Sequence, residues 1–324
     1  MKYDLIGIGD VTTDCFIRLK NAEELTNHGV LELCMPFGTK LPYESATEVY
    51  ATGNSSNAAL CVAKLGLSAA LVSSVGDDDN GKKILESLKS RNVSTEYVTV
   101  HKGMKTNYYY ILQHGAERTI LLKHEPYPKV LPHFEEPPTW LYFSAAGDLE
   151  FQNAVGRYCR ENHVKLAFQP NNEQIDAGYE ALKELYGAAE IFFCNKEEAQ
   201  QILKTEDKDE KKLLEGIRAL GPKIVAITDG RNGAAILDES GAYHIPMYPD
   251  PAPPVSRTGA GDATASTTVA FVHKGMPARE ALMRAMINAA FGIQKVHAQL
   301  GTLTEAEVEE WYAKRPADFV ATAL

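Results

Sequence analysis

Short apolar runs alternate with amphipathic stretches along most of this chain. Residues 3–9, 70–75, 140–144, 165–169, 190–194 and 224–228 are apolar runs of strand length and predict buried strands. Between them, helical spacing predicts helices over 57–65, 82–91, 150–162, 176–188, 196–204 and 209–220. Gly66 stops the first of these and Asn92 the second. Such alternation predicts an α/β fold with a mostly parallel central sheet and helices on both faces. After Asp262 the pattern turns helical, over 263–274, 277–299 and 304–313.

Two segments break the rhythm. From 16 to 50 the helical signal is weak, with β-like pieces at 31–35 and 46–50. Residues 106–112 and 118–123 are rich in β-branched and aromatic side chains around a Gly-containing turn, which predicts a hairpin. Together these insertions, about 16–50 and 101–125, predict a small antiparallel sheet. Prolines at 126, 128, 132, 137 and 138 mark the return to the main body. A second hairpin, 234–237 with 243–247, leads into a proline-rich loop at 249–254.

Composition narrows the class. Lys and Arg total 33 against 43 Asp and Glu, a formal charge of −10, which argues against a nucleic-acid or anionic-membrane partner. Five scattered cysteines without a Cys-x-x-Cys pair read as reduced thiols, not as a disulfide frame or a zinc site. No apolar run has the length of a membrane span, and the N-terminus runs straight into a strand-like segment, so a cytoplasmic protein is expected.

The stretch Thr258-Gly259-Ala260-Gly261-Asp262 opens the late helical region. Its glycines let backbone approach a ligand, and a helix starting there points unpaired N–H groups into the turn. It can be a plain turn with an Asp cap. It also suits phosphoryl transfer, with Asp262 taking a proton from a hydroxyl while the amides hold the charge on the moving group. Gly53-Asn54-Ser55-Ser56-Asn57 reads as a capped helix start or as a polar site for sugar hydroxyls. Asn195-Lys196-Glu197-Glu198 forms a near capping box, and Glu198 equally suits ordering water around magnesium. Thr228-Asp229-Gly230-Arg231-Asn232-Gly233 has turn chemistry but ends a strand, on the ligand side of such sheets.

Two other glycine patterns fail. Gly76-Asp77-Asp78-Asp79-Asn80-Gly81-Lys82 has P-loop spacing, yet Lys83 replaces the required Ser or Thr and three carboxylates would face the phosphates. Gly7-Ile8-Gly9 lacks the third glycine of a dinucleotide fingerprint, Thr12 standing there.

Asp14 after a first strand, Gly53-x-x-x-Asn57, Val75-Gly76-Asp77-Asp78, Asn195-x-x-Glu198, Thr228-x-Gly230 and the Gly259–Asp262 turn occur in an order that resembles the ribokinase-like, or PfkB, carbohydrate and nucleoside kinases. The resemblance spans nearly the whole chain. It implies one domain over 1–324, a three-layer α/β/α sandwich with a small β-sheet lid, and ATP- and Mg2+-dependent transfer to a hydroxyl of a sugar or nucleoside. By position it implies Asp262 as base and Gly259, Ala260 and Gly261 as anion hole. Asp14, Gly53, Asn54 and Asn57 would hold the acceptor, and Asn195 and Glu198 would serve the magnesium and phosphates. Thr228, Gly230 and Gly233 would line the nucleotide, with Asn288 near adenine. The exposed strand edge of the lid offers a surface for a second copy.

There are departures from the family pattern. Ser256-Arg257 stands where Asp-Thr is usual, which leaves a monovalent-cation site open to question. Thr52 replaces a glycine and Thr264 a phenylalanine, while Gln169-Pro170-Asn171 stands where an acidic residue is frequent. Ser256-Arg257 and Thr52 also motivate an alternative, a sugar- or nucleoside-binding regulatory relative with weak transfer.

Overall fold

The computed structural model describes residues 2–115, 117–144 and 147–324. In chain order the first strands are β1 (Leu5–Ile8), β2 (Thr12–Leu19), β3 (Glu23–Asn27), β4 (Val30–Cys34), β5 (Tyr43–Thr52) and β6 (Ala69–Gly76). There follow β7 (Val93–Ser94), β8 (Val98–His101), β9 (Tyr108–His114), β10 (Glu117–Leu121), β11 (Trp140–Phe143) and β12 (Lys165–Phe168). The last are β13 (Ala189–Asn195), β14 (Ile224–Thr228), β15 (Ala234–Asp238), β16 (Gly241–Ile245) and β17 (Thr322–Ala323).

The large sheet runs β17-β16-β15-β14-β13-β12-β11-β1-β6, with β7 and β8 both pairing β6. From β6 to β14 all neighbours are parallel, and β15 to β17 add an antiparallel edge. Its central strands β1, β11, β12, β13 and β14 are buried on both faces, so side chains alternate between two cores. In β11, Trp140 and Tyr142 enter one core while Leu141 and Phe143 enter the other. Each fully buried ring or branched chain of this kind contributes about 1.5–3 kcal/mol.

One face is covered by α1 (Asn54–Lys64) and α2 (Asp79–Ser90); the other by α3 (Leu149–Glu161), α5 (Tyr179–Ala188), α6 (Lys196–Leu203) and α7 (Glu210–Ala219). The short α4 (Asn172–Ala177) precedes α5. The first face is completed by α8 (Ala260–His273), α9 (Ala278–Gly292), α10 (Ala298–Gly301) and α11 (Glu305–Ala313).

The small sheet has the order β10-β9-β2-β5. It is mixed, because β2 and β9 pair in parallel, whereas the pattern predicted an antiparallel sheet. β2 itself is absent from the predicted elements. The β3–β4 hairpin stands apart, and β3 is exposed throughout. Two predicted helices are also divided. The 176–188 segment breaks at Gly178, whose φ of 79° ends α4. The 277–299 segment stops at Gly292, because the carbonyl of Ile293 accepts the N–H groups of Val255 and Ser256 (2.9 and 3.2 Å). Tertiary bonds there replace the next helical turn.

The glycine loop at 76–82 is a staple between the two sheets. Asp78 caps α2 through the Gly81 N–H (2.9 Å) and accepts both the N–H and the hydroxyl of Thr106 (3.0 and 2.6 Å). It thereby ties the entry to β9 to the main body.

Candidate active site

Asp10 after β1, Ser144 after β11, Gln169 after β12 and Thr228 at the end of β14 gather at the carboxyl ends of the parallel strands, where open α/β sheets bind ligands. The turn into α8 sits among them. Gly259 is its N-cap at φ 79°, a conformation L side chains rarely adopt, and a Cβ there would lie 3.1 Å from His297 Cε1. Ala260 N–H bonds to the Arg257 carbonyl and Ala263 N–H to that of Gly259. Between them the N–H groups of Gly261 and Asp262 have no backbone acceptor among the described residues. Ala298 N–H fixes the turn from outside through the Thr258 carbonyl (3.0 Å).

Asp262, in the first turn of α8, is only 6% exposed. Its Oδ2 accepts from Asn57 Nδ2 (2.6 Å) and its Oδ1 from Gln169 Nε2 (3.2 Å). Burial raises its pKa, and the two amide bonds oppose that rise. Gln169 is held in turn by the Tyr142 hydroxyl.

A cavity of about 340 Å3 opens beside Asp262. Asp14 from β2, Gly53, Asn54 and Asn57 line it, so the structure brings these four sequence candidates to one place with Gly259, Gly261 and Asp262. Asp14 Oδ1 and Asn57 Oδ1 are buried without a partner. Orphaned polar atoms of this kind call for a ligand or water. Burial, with a smaller push from Asp262 and against a bond to the Thr52 hydroxyl, raises the Asp14 carboxyl to about 7. Asn54 Nδ2 donates to Ser144 Oγ (2.9 Å).

On the other side of the glycine turn lies a second cavity, lined by Thr228, Gly230, Gly233 and Ala260 and by the apolar Met286, Ala289 and Ile293 of α9 and its end. Gly261 and Arg257 border both cavities. A Cβ on Gly261 would meet only Gln169 Nε2, at 3.7 Å, so the missing side chain leaves open space at the junction.

Two expectations change in detail. Asn288 does not line either cavity. It is fully buried, donates to Thr267 Oγ1 (2.8 Å) and accepts from Leu303 N–H (2.6 Å), so it bridges α8, α9 and the segment before α11. Asn195 and Glu198 form a complete capping box (2.8 Å each way), which occupies Asn195 Oδ1. Glu198 still opens, with Asp10 and Glu173, onto a third cavity that adjoins Asn54 and Gln169, and burial raises its pKa. Ser256 Oγ donates to Thr258 Oγ1 (3.1 Å), a neutral pair where the resembled pattern usually has Asp.

Pattern reading missed Gln169 as a partner of Asp262, together with Tyr109, Arg118 and His297 on the first cavity. Gln169 ends a buried strand on the ligand side, a usable signal. The other three come from the small sheet and the post-α9 turn, and only the fold brings them there.

Such a layout is that of phosphotransferases acting on alcohol groups. Residues 29–305 match the pfkB family carbohydrate kinases, and the chain belongs to that family. It is 28% identical over 223 residues to an ATP-dependent ribose-1-phosphate kinase of Halopiger xanaduensis, covering 67% of this chain and 72% of that one. It shares its fold with a Methanocaldococcus jannaschii nucleoside kinase (TM-score 0.79, 19% identity, 97% and 99% of the chains covered). The same holds for an Arabidopsis thaliana ribokinase complexed with ribose and ATP (TM-score 0.77, 19% identity, 96% and 98% covered). Among the described residues no helix is long and apolar enough to cross a membrane.

Proposed function

We propose that this single-domain enzyme transfers the γ-phosphoryl group of ATP to a hydroxyl of a sugar or nucleoside, with Asp262 as the general base. The reading rests chiefly on a buried carboxylate at a glycine turn that borders two cavities. The first cavity takes the acceptor, whose hydroxyls satisfy Asp14 and Asn57. The second takes the nucleotide, with Thr228, Gly230 and Gly233 beside it and α9 supplying an apolar wall. Asp262 withdraws the hydroxyl proton as the acceptor oxygen bonds to the γ-phosphorus. The bond to the β–γ bridging oxygen breaks and ADP leaves. The Gly261 and Asp262 amides, with the Gly259-Ala260 turn shaping them, meet the charge on the transferring group. Burial makes Asp262 a stronger base than an exposed carboxylate.

Glu198 is a half-buried carboxylate with no cationic partner among the described residues, so it fits magnesium held through water, which would neutralise phosphate charge there. Five free cysteines suit a cytoplasmic setting. The small sheet acts as a lid, and its open β10 edge with exposed Ile120 and Leu121 supports pairing with a second copy.

Asp262→Asn tests the reading. ADP release in the presence of a competent acceptor should fall by about 10²–10⁴-fold with ATP binding retained. Near-normal turnover would remove Asp262 from the chemistry. Binding of acceptors with no transfer by the unaltered protein would favour a regulatory role instead.

A further inference from the structure

Two guanidinium groups on the first cavity have no counter-ion. Arg118 reaches it from β10 and Arg257 from the turn before α8. Neither side chain makes a hydrogen bond or salt bridge among the described residues. Among the described residues both carboxylates of the same cavity, Asp14 and Asp262, are also free of any ion pair, and Asp262 is occupied by Asn57 and Gln169. Cations and anions that share a concave site without pairing divide it into two ends. One end accepts hydrogen bonds, as hydroxyls require; the other only donates, in the planar fork that matches phosphate and carboxylate.

His297 extends the donating end. Its Nδ1 accepts from Gln299 N–H (3.3 Å), which puts the ring proton on Nε2, and that nitrogen lies against the Gly259 turn. Burial, then the charges of Arg91 and Arg118, depress its pKa to about 3, so it stays a neutral donor.

We propose that the acceptor is an anionic sugar derivative, whose phosphate or carboxylate is held by Arg118 and Arg257 while Asp14 and Asn57 read its hydroxyls. The inference rests on the kinase reading above. It narrows that reading from any sugar or nucleoside to acceptors with a permanent negative charge. Arg257 also borders the nucleotide side, so Arg118, which borders the acceptor cavity alone, is the discriminating residue.

The test compares matched acceptors: ribose against its 1- and 5-phosphates, fructose against its 6-phosphate, and an aldose against the corresponding sugar acid. ADP release gives kcat/KM for each, and calorimetric titration of each compound gives its affinity. An anionic member should exceed its neutral partner by about 10–100-fold, as charge-assisted bidentate contacts allow. Arg118→Ala should collapse that ratio, and Arg118→Lys should restore it only in part, because a point charge lacks the fork. Whether phosphates or acids gain most identifies the source of the charge. Preference for neutral sugars, or a ratio unmoved by Arg118→Ala, overturns the inference while the kinase reading stands. Arg118-dependent binding of a sugar phosphate with no transfer upholds the anion site and refutes the kinase reading. Neither binding nor transfer refutes both.

Discussion

Replacing Asp14 by Asn should stabilise this protein, and by an amount that depends on pH. The folded state raises the Asp14 carboxyl from 3.8 to about 7, mainly through burial. A raised pKa means that the folded state holds a proton the unfolded chain has released. Its contribution is therefore fully present below pH 4 and is lost as pH rises through 7. About three pKa units at 1.36 kcal/mol each give roughly 4 kcal/mol lost between about pH 4 and pH 8. Asn is nearly isosteric and carries no charge, so the variant escapes that loss. Urea denaturation of both proteins across this range isolates the effect, since every other carboxylate titrates in both. The stability difference should be small near about pH 4 and reach roughly 2–4 kcal/mol near about pH 8, a large share of a typical 5–15 kcal/mol total. Parallel stability curves would show that Asp14 is ionised at no cost in the folded protein. The same variant should bind acceptor poorly, which explains why so expensive a carboxylate sits there.

Gln169→Leu removes the amide from Asp262 Oδ1, a bond that holds the carboxyl down. Its pKa should rise, so the acid limb of the kcat/KM profile should move to higher pH, with about a tenfold loss near neutrality that shrinks in base. An unshifted limb would detach Gln169 from the base. Leu121→Lys places a charge on the exposed β10 edge. Sedimentation should find the unaltered chain at twice its monomer mass and the variant as a monomer; monomers in both would dismiss the lid as a dimer surface.

Function and stability pull against each other at this site in a specific way. Asp14 and Asp262 are both buried and both raised, and the charge of Asp262 disfavours that of Asp14. Asn57 relieves only Asp262, leaving its own carbonyl and one oxygen of Asp14 without a partner. Two acceptor hydroxyls, one donating to each oxygen, would satisfy both orphans, so acceptor binding recovers some of the stability that the empty arrangement forgoes.

What could be read from the sequence follows from how local each feature is. The parallel strands were legible because burial on both faces demands continuous apolar runs, and the α8 turn because its glycines encode a backbone shape within five residues. β2 was not, since Thr12, Thr13 and Asp14 are buried polar residues that interrupt any period, retained where a cavity needs them. The end of α9 was misread because apolar spacing continues to Val296 while a bond from Ser256, far away in sequence, stops the helix. For Asn288, which the resemblance puts near adenine, the partners Thr267 and Leu303 lie on other segments that no local pattern connects to it. The acceptor cavity is the extreme case. Its walls come from residues 14, 57, 118, 169, 257 and 297, which no local pattern connects. Chemistry written into one turn can thus be legible while the choice of acceptor, assembled across the whole chain, becomes readable only once the small sheet has carried Arg118 to the same cavity as Asp262.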